Sequence, residues 1–159
     1  MIKILFICHG NICRSPMAEF VMKDIVSRAG LEQAFHIESA ATSREEIGND
    51  IHPGSRRKMT EMGISFSRRR ARQITIDDYN DYDYLIGMDG ENMYYMRRIL
   101  GEDSGNKMHL LLSFAGKNRD IADPWYTGNF DETYSDIDEG CRALLAFIRQ
   151  KGSKGKLCP

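Results

Sequence analysis

A short apolar run, Ile2 to Ile7, leads straight into Cys8-His9-Gly10-Asn11-Ile12-Cys13-Arg14-Ser15, and helical spacing begins immediately afterwards. Nothing else in the chain constrains the fold as tightly. The run is too short for a helix of ordinary length and reads as a strand buried on both faces. Met17, Phe20, Val21, Ile25 and Val26 then recur at the spacing of one helical face. Ser15 reads as the N-cap, Pro16 as the first helical residue and Gly30 as the stop, which predicts a helix over 16–29. A buried strand, a polar turn and a helix thus occupy the first thirty residues.

The same alternation continues. Phe35 to Ala40 reads as a second strand, Pro53 to Met62 as a helix stopping at Gly63, and Tyr84 to Met88 as a third strand. Asn92 to Leu100 reads as a helix ending at Gly101, Met108 to Phe114 as a fourth strand, and Tyr134 to Arg149 as a last amphipathic helix carrying Ile137, Cys141, Leu144, Leu145 and Ile148. Strands alternating with helices imply an α/β fold with a mostly parallel sheet, covered on both sides and joined by right-handed crossovers. Ligands of such sheets bind beyond the carboxyl ends of the strands. That puts the Cys8–Ser15 loop, the loops after Ala40 and Met88 and the segment after Phe114 on one rim. No repeat or linker divides the 159 residues, so one domain is expected, with 152–159 as a flexible tail.

Charge and apolar runs exclude several classes. With 22 Lys+Arg against 23 Asp+Glu the net charge is −1, unlike the strongly basic surface of a general nucleic-acid binder. No stretch approaches the roughly 20 apolar residues of a membrane-spanning helix. The first apolar run is too short for an export signal, so a cytoplasmic, reducing setting is expected. In that setting the four cysteines, Cys8, Cys13, Cys141 and Cys158, are expected to be unpaired. Cys141 falls in a helical pattern and Cys158 in the tail.

The Cys8–Ser15 loop carries the chemistry. A loop that enters a helix N-terminus can turn successive amides inward and hold an anion. Gly10 permits the required curl, and Asn11 is among the residues that tolerate a left-handed conformation. Arg14 offers a fork to two phosphate oxygens. The amides, the helix N-terminus and Arg14 all favour an ionised sulfur at Cys8, and the Ser15 hydroxyl can donate to it. A lone Cys at a strand end would more simply be a small buried hydrophobe; five residues and then Arg-Ser opening a helix favour a nucleophile. The Gly-Lys pair of a nucleotide-binding loop is missing, which argues against ATP or GTP. A second candidate is Asp123, opening Asp123-Pro124-Trp125-Tyr126 on the same rim. Pro124 restricts the backbone of Asp123. Trp125 and Tyr126 can wall a pocket for an aromatic group, although Asp-Pro is also a common way to start a turn.

In these motifs and their order, the chain resembles the low-molecular-weight protein tyrosine phosphatases from residue 1 to about 150. Other cysteine phosphatases carry the Cys-x5-Arg loop late in longer chains; here it begins at residue 8. The resemblance implies a three-layer α/β/α fold with a four-stranded parallel sheet. It also implies a cofactor-free and metal-free reaction on a phosphotyrosine protein, through a cysteinyl-phosphate. It casts Cys8 as nucleophile, Arg14 as phosphate clamp and Asp123 as general acid and then base. His9, Gly10, Asn11, Ile12, Cys13 and Ser15 take the phosphate-loop positions, with Trp125 and Tyr126 beside them. Asn11, Ser15 and His52 match positions that orient the loop, and Ser39 and Asp89 match supporting ones. Cys13 is cast as the shield that bonds to oxidised Cys8. An ionised Cys8 and a protonated Asp123 together predict a bell-shaped optimum at roughly pH 5 to 6.5.

The chain departs from the family pattern at Ala41–Gly48, where an aromatic wall is common and Glu45 stands instead. A more open and acidic pocket is expected, suited to phosphotyrosine flanked by basic residues. Ile12 at the floor suits a flat ring better than a polar leaving group, which weighs against phosphoarginine. Arg68–Arg72 reads as a solvated basic face rather than a polyanion site. His9 and His52 lack metal-ligand spacing. Two rival functions are a thiol-coupled arsenate reductase, which needs further cysteines where residues 14–140 have none, and a non-catalytic phosphate-binding module, which needs no Asp123. A monomer without nucleic-acid or membrane partners is expected.

Overall fold

The apolar run at the start of the chain lies in the middle of a sheet. In the computed structural model, which describes residues 1–155 with side chains through 152, β1 is Ile2–Cys8, β2 Phe35–Ala41, β3 Tyr84–Gly87 and β4 Met108–Leu110. They form one parallel sheet in the order β2-β1-β3-β4. Ile4, Leu5, Phe6 and Ile7 have no exposed surface. Each such buried side chain contributes about 1.5–3 kcal/mol of apolar burial.

Strand alternation divides these residues between two layers. Ile4, Phe6 and Cys8 face a core with α1 (Arg14–Arg28), α2 (Pro53–Glu61) and α6 (Phe130–Gly155). Leu5 and Ile7 face a smaller core with Met93 and Met96 of α4 (Gly90–Leu100) and with Tyr82, which follows the short α3 (Ile76–Asp81). The three-layer α/β/α expectation is met. Because all four strands run the same way, their carboxyl ends open on one side, where the Cys8–Ser15 loop emerges.

Several boundaries differ from the pattern reading. Ser15 is not the N-cap of α1: the helix begins at Arg14 with Cys13 at the cap position and no capping side chain. The Ser15 hydroxyl faces the Cys8 sulfur and the Ala40 carbonyl instead. β4 stops at Leu110, and Leu111–Ala115 turn as a 3-10 segment ended by the left-handed Gly116. Leu111 and Leu112 are nonetheless buried, so the apolar run marked burial correctly but not conformation. The short α3 and α5 (Pro124–Thr127) have no apolar periodicity to announce them; local caps at Thr75 and Asp123 begin them. α6 runs from Phe130 to Gly155, through the start of the expected tail. Cys158 and the rest of that tail lie outside the described residues. Among the described residues no helix is long and apolar enough to cross a membrane.

Candidate active site

Cys8 ends β1 with its side chain buried, and two backbone amides and the Ser15 hydroxyl converge on the sulfur. The amides of Asn11 and Ser15 lie 3.3 and 3.4 Å from Sγ, and the Ser15 hydroxyl lies 3.1 Å away. Asn11 makes this possible by adopting φ +59°, one of two non-glycine residues with positive φ among those described. Its carboxamide nitrogen donates to Ser15 Oγ at 2.8 Å, and its Oδ1 accepts from the Arg72 amide at 3.3 Å.

The loop is held open from outside by its carbonyls. Thr42 N donates to the Cys8 carbonyl (2.9 Å), Ser43 N to that of His9 (3.0 Å) and His52 N to that of Ile12 (2.9 Å). The Ser55 hydroxyl donates to the Cys13 carbonyl at 3.1 Å, and Arg69 Nη2 to the Asn11 carbonyl. In a trans peptide C=O and N–H point in opposite directions. Each outward grip therefore turns the following amide, at His9, Gly10, Ile12, Cys13 and Arg14, toward the hollow of the loop. A ring of inward amides at a helix N-terminus is an anion cradle.

Arg14 lies at the far end of the cradle, 2% exposed. Its Nη1 donates to Asp89 Oδ2 (2.7 Å) and to the Ile121 carbonyl (2.8 Å), and its Nη2 lies 3.5 Å from Asp123 Oδ2. Burial opposes the charge, but the Cys8 sulfur, Asp89 and Asp123 outweigh it and raise the basicity of Arg14 above its ordinary value. Asp89 also caps α4, accepting from Asn92 N at 2.7 Å, so one carboxylate orients both the helix and the guanidinium. Asp123 caps α5, accepting from Trp125 N at 3.0 Å through its other oxygen.

These groups border one pocket. Cys8, Ile12 and Cys13 line it together with Asp123, Trp125 and Tyr126 and with His9, Gly10, Glu45 and Glu46. Trp125 and Tyr126 are exposed, whereas His9 and Glu45 join across the lip through Nε2 and Oε2. Burial pushes the Cys13 thiol up to about 12, with Cys8 and Asp123 adding to the effect, so Cys13 stays protonated.

Two predicted residues sit off the loop. Ser39 donates to Glu19 at 2.6 Å rather than to the cradle. The ring of His52 accepts from the Gly54 amide as the cap of α2 and stacks on Phe130, with Trp125 edge-on. It buttresses the Trp125 wall, and only its backbone touches the loop. The basic run is the larger surprise. Arg68 and Arg70 are exposed, but Arg72 pairs with Asp78 at 2.9 Å and Arg69 reaches the loop, so the run is not simply a solvated face. Pattern reading had no signal for this, because the two arginines alternate with their exposed neighbours in a segment of no regular structure.

The comparisons with known proteins agree with the geometry. Residues 3–154 match the family model described as low molecular weight phosphotyrosine protein phosphatase. The chain belongs to that family. It is 40% identical over 153 residues to the low molecular weight protein-tyrosine-phosphatase YfkJ of Bacillus subtilis, covering 95% of this chain and 98% of that protein. A chicken low molecular weight phosphotyrosine protein phosphatase is 36% identical, with 89% and 92% covered. The YfkJ crystal structure superposes with a TM-score of 0.91, covering 95% of this chain and 96% of that one. SP-PTP of Streptococcus pyogenes gives 0.84 at 42% identity, with 93% of each chain covered. The four-stranded parallel sheet with flanking helices is the fold this phosphatase family shares with the chain.

Proposed function

We propose that this chain is a protein-tyrosine phosphatase in which Cys8 is the nucleophile, Arg14 the phosphate clamp and Asp123 the proton donor. The observation that carries the reading is the convergence of a donor-lined sulfur, a cradle of inward amides and a carboxylate on a single pocket. The Cys8 sulfur attacks phosphorus and the phosphorus–phenol bond breaks while Asp123 protonates the departing oxygen. The freed carboxylate then takes a proton from water, which attacks the thiophosphate and releases phosphate and the thiolate. Arg14 and the loop amides hold the equatorial oxygens throughout, and act as preorganised charge stabilisation in the transition state.

Steady-state hydrolysis of p-nitrophenyl phosphate and a phosphotyrosine peptide tests the roles. Cys8→Ser is expected to lose turnover on both. Asp123→Ala is expected to lower kcat by about 10²–10⁴-fold, most on the peptide, whose phenol is the poorer leaving group. Undiminished turnover in Cys8→Ser would remove the mechanism.

The acidic wall supports a substrate with basic residues beside the phosphotyrosine. Glu45 and Glu46 line the same pocket as Trp125 and Tyr126, so a peptide stacked on the aromatic side chains lies close to carboxylates. The reading extends to a cytoplasmic monomer with neither nucleic-acid nor membrane partners, and to redox sensitivity. Peroxide converts the Cys8 sulfur to a sulfenic acid, which Cys13 displaces to a disulfide with loss of water. Thiol treatment is expected to restore peroxide-inactivated wild type but not Cys13→Ser; equal recovery would leave Cys13 without a protective role.

A further inference from the structure

Five carbonyls of the phosphate loop are gripped from outside, and four of the donors are neutral: three backbone amides and the Ser55 hydroxyl. The fifth is a guanidinium. Arg69 Nη2 donates to the Asn11 carbonyl and Arg69 Nη1 to the Asn49 carbonyl at 3.1 Å, while its own amide donates to Asp50 Oδ1 at 3.2 Å. The gripped peptide follows Asn11 in its left-handed conformation, the one non-glycine residue of the loop at positive φ, so its orientation depends on an outside partner.

We propose that Arg69 is a positioning residue of the phosphate site: by clamping the Asn11 carbonyl outward it turns the Ile12 amide into the cradle and keeps the Asn11 amide on the Cys8 sulfur. The fork ties the loop to Asn49, whose carbonyl also accepts the Ala71 amide at 2.8 Å, so the rear of the cradle is a braced layer rather than a free loop. Arg72 completes it through the Asn11 side chain. Arg69 is not among the residues lining the pocket; it acts through Asn11 and Ile12. Its charge is partly shielded from solvent: burial lowers its basicity, and Glu19, the Cys8 sulfur and Asp50 restore part of it. Lysine would keep that charge but lacks the planar fork that spans two carbonyls.

The test compares Arg69→Gln, Arg69→Lys and, as an exposed neighbour, Arg70→Gln, by thermal melting, turnover of p-nitrophenyl phosphate and iodoacetate alkylation of Cys8 across pH. Arg14, Asp123, Cys13, His9, Glu45 and Glu46, the other charged and titratable groups around the sulfur and its pocket, are unchanged in every variant. Arg69→Gln is expected to lower kcat by about 10- to 100-fold, less than the roughly 10²–10³-fold cost of losing an oxyanion donor outright, because the Ile12 amide is misaimed rather than removed. Its alkylation profile should move to higher pH, with Arg69→Lys intermediate and Arg70→Gln like wild type. A purely structural role would lower the melting temperature and leave both readouts in place, and that result would overturn the proposal. If Arg69→Gln does not melt cooperatively, Arg69→Lys decides: wild-type kcat with an unshifted profile would show that the fork is dispensable. The turnover arm rests on the phosphatase reading, whereas the alkylation arm does not. An inactive wild type would sink that reading and still leave Arg69 tested.

Discussion

Two cysteines five positions apart share one loop and differ in what surrounds their sulfurs. Cys8 accepts from two amides and shares a hydrogen bond with the Ser15 hydroxyl. Cys13 sits at the cap of α1 in an apolar cluster with Ile12 and Ala71, and burial pushes its thiol up to about 12. At neutral pH Cys13 is therefore held as the thiol. Cys141 is wholly buried against the Ala18 carbonyl, and its thiol is pushed up as well. Iodoacetate at pH 6–7 is therefore expected to label Cys8 ahead of Cys13 and Cys141 in the folded protein, with inorganic phosphate slowing the reaction; peptide mapping by mass spectrometry reads the sites. Disulfide closure onto Cys13 should accelerate as pH rises, because the attacking sulfur must first ionise. At this scale the sequence disclosed the nucleophile through the Cys8-to-Arg14 spacing. It did not disclose the outward grips, since Thr42, Ser43, His52, Ser55 and Arg69 contribute ordinary amides and side chains with no motif around them.

Element ends do the positioning. Asp89 and Asp123 both stand at helix N-caps, and each offers a second oxygen to Arg14. Removing the Asp89 side chain should cost about 0.5–2 kcal/mol through the lost cap of α4 and should also free Arg14. Asp89→Asn separates the two effects, because it keeps a cap acceptor and loses the charge facing Arg14. Asp89→Ala is expected to lower both the melting temperature and the affinity for inorganic phosphate, whereas Asp89→Asn should lower mainly the affinity. Equal phosphate affinity in all three proteins would show that Arg14 needs no anchor. Helix α1 was legible from its apolar spacing, but its first turn was not. Ser15 has the chemistry of a cap, and only the arrival of the Cys8 sulfur beside it shows where its hydroxyl points.

Across the whole molecule, α6 closes one face by lying on α1 and on the 3-10 turn after β4. Gly140 allows that approach: a Cβ there would come within 2.5 Å of Leu111 Cγ and 3.1 Å of both its methyls. Leu111 is fully buried and has no room to retreat. Gly140→Ala is expected to cost about 1–3 kcal/mol by overpacking, lowering the melting temperature by several degrees. A calorimetric melt checks this, and an unchanged midpoint would mean that the α6 contact yields without strain. Such a contact lies beyond pattern reading, because Gly140 and Leu111 meet only after the sheet has formed.

The order of the strands and the longer helices, the buried first strand and the placement of a sulfur and an arginine on one short loop were determined by the sequence alone. Each depends on local periodicity or on spacing within one turn, which a linear chain records directly. The direction of each loop amide, the shared anchoring of Arg14 by two helix caps and the reach of Arg69 behind the cradle were decided only by the tertiary structure. A peptide group turns to satisfy whichever donor the fold brings up behind it, and those donors come from segments up to about sixty residues away along the chain.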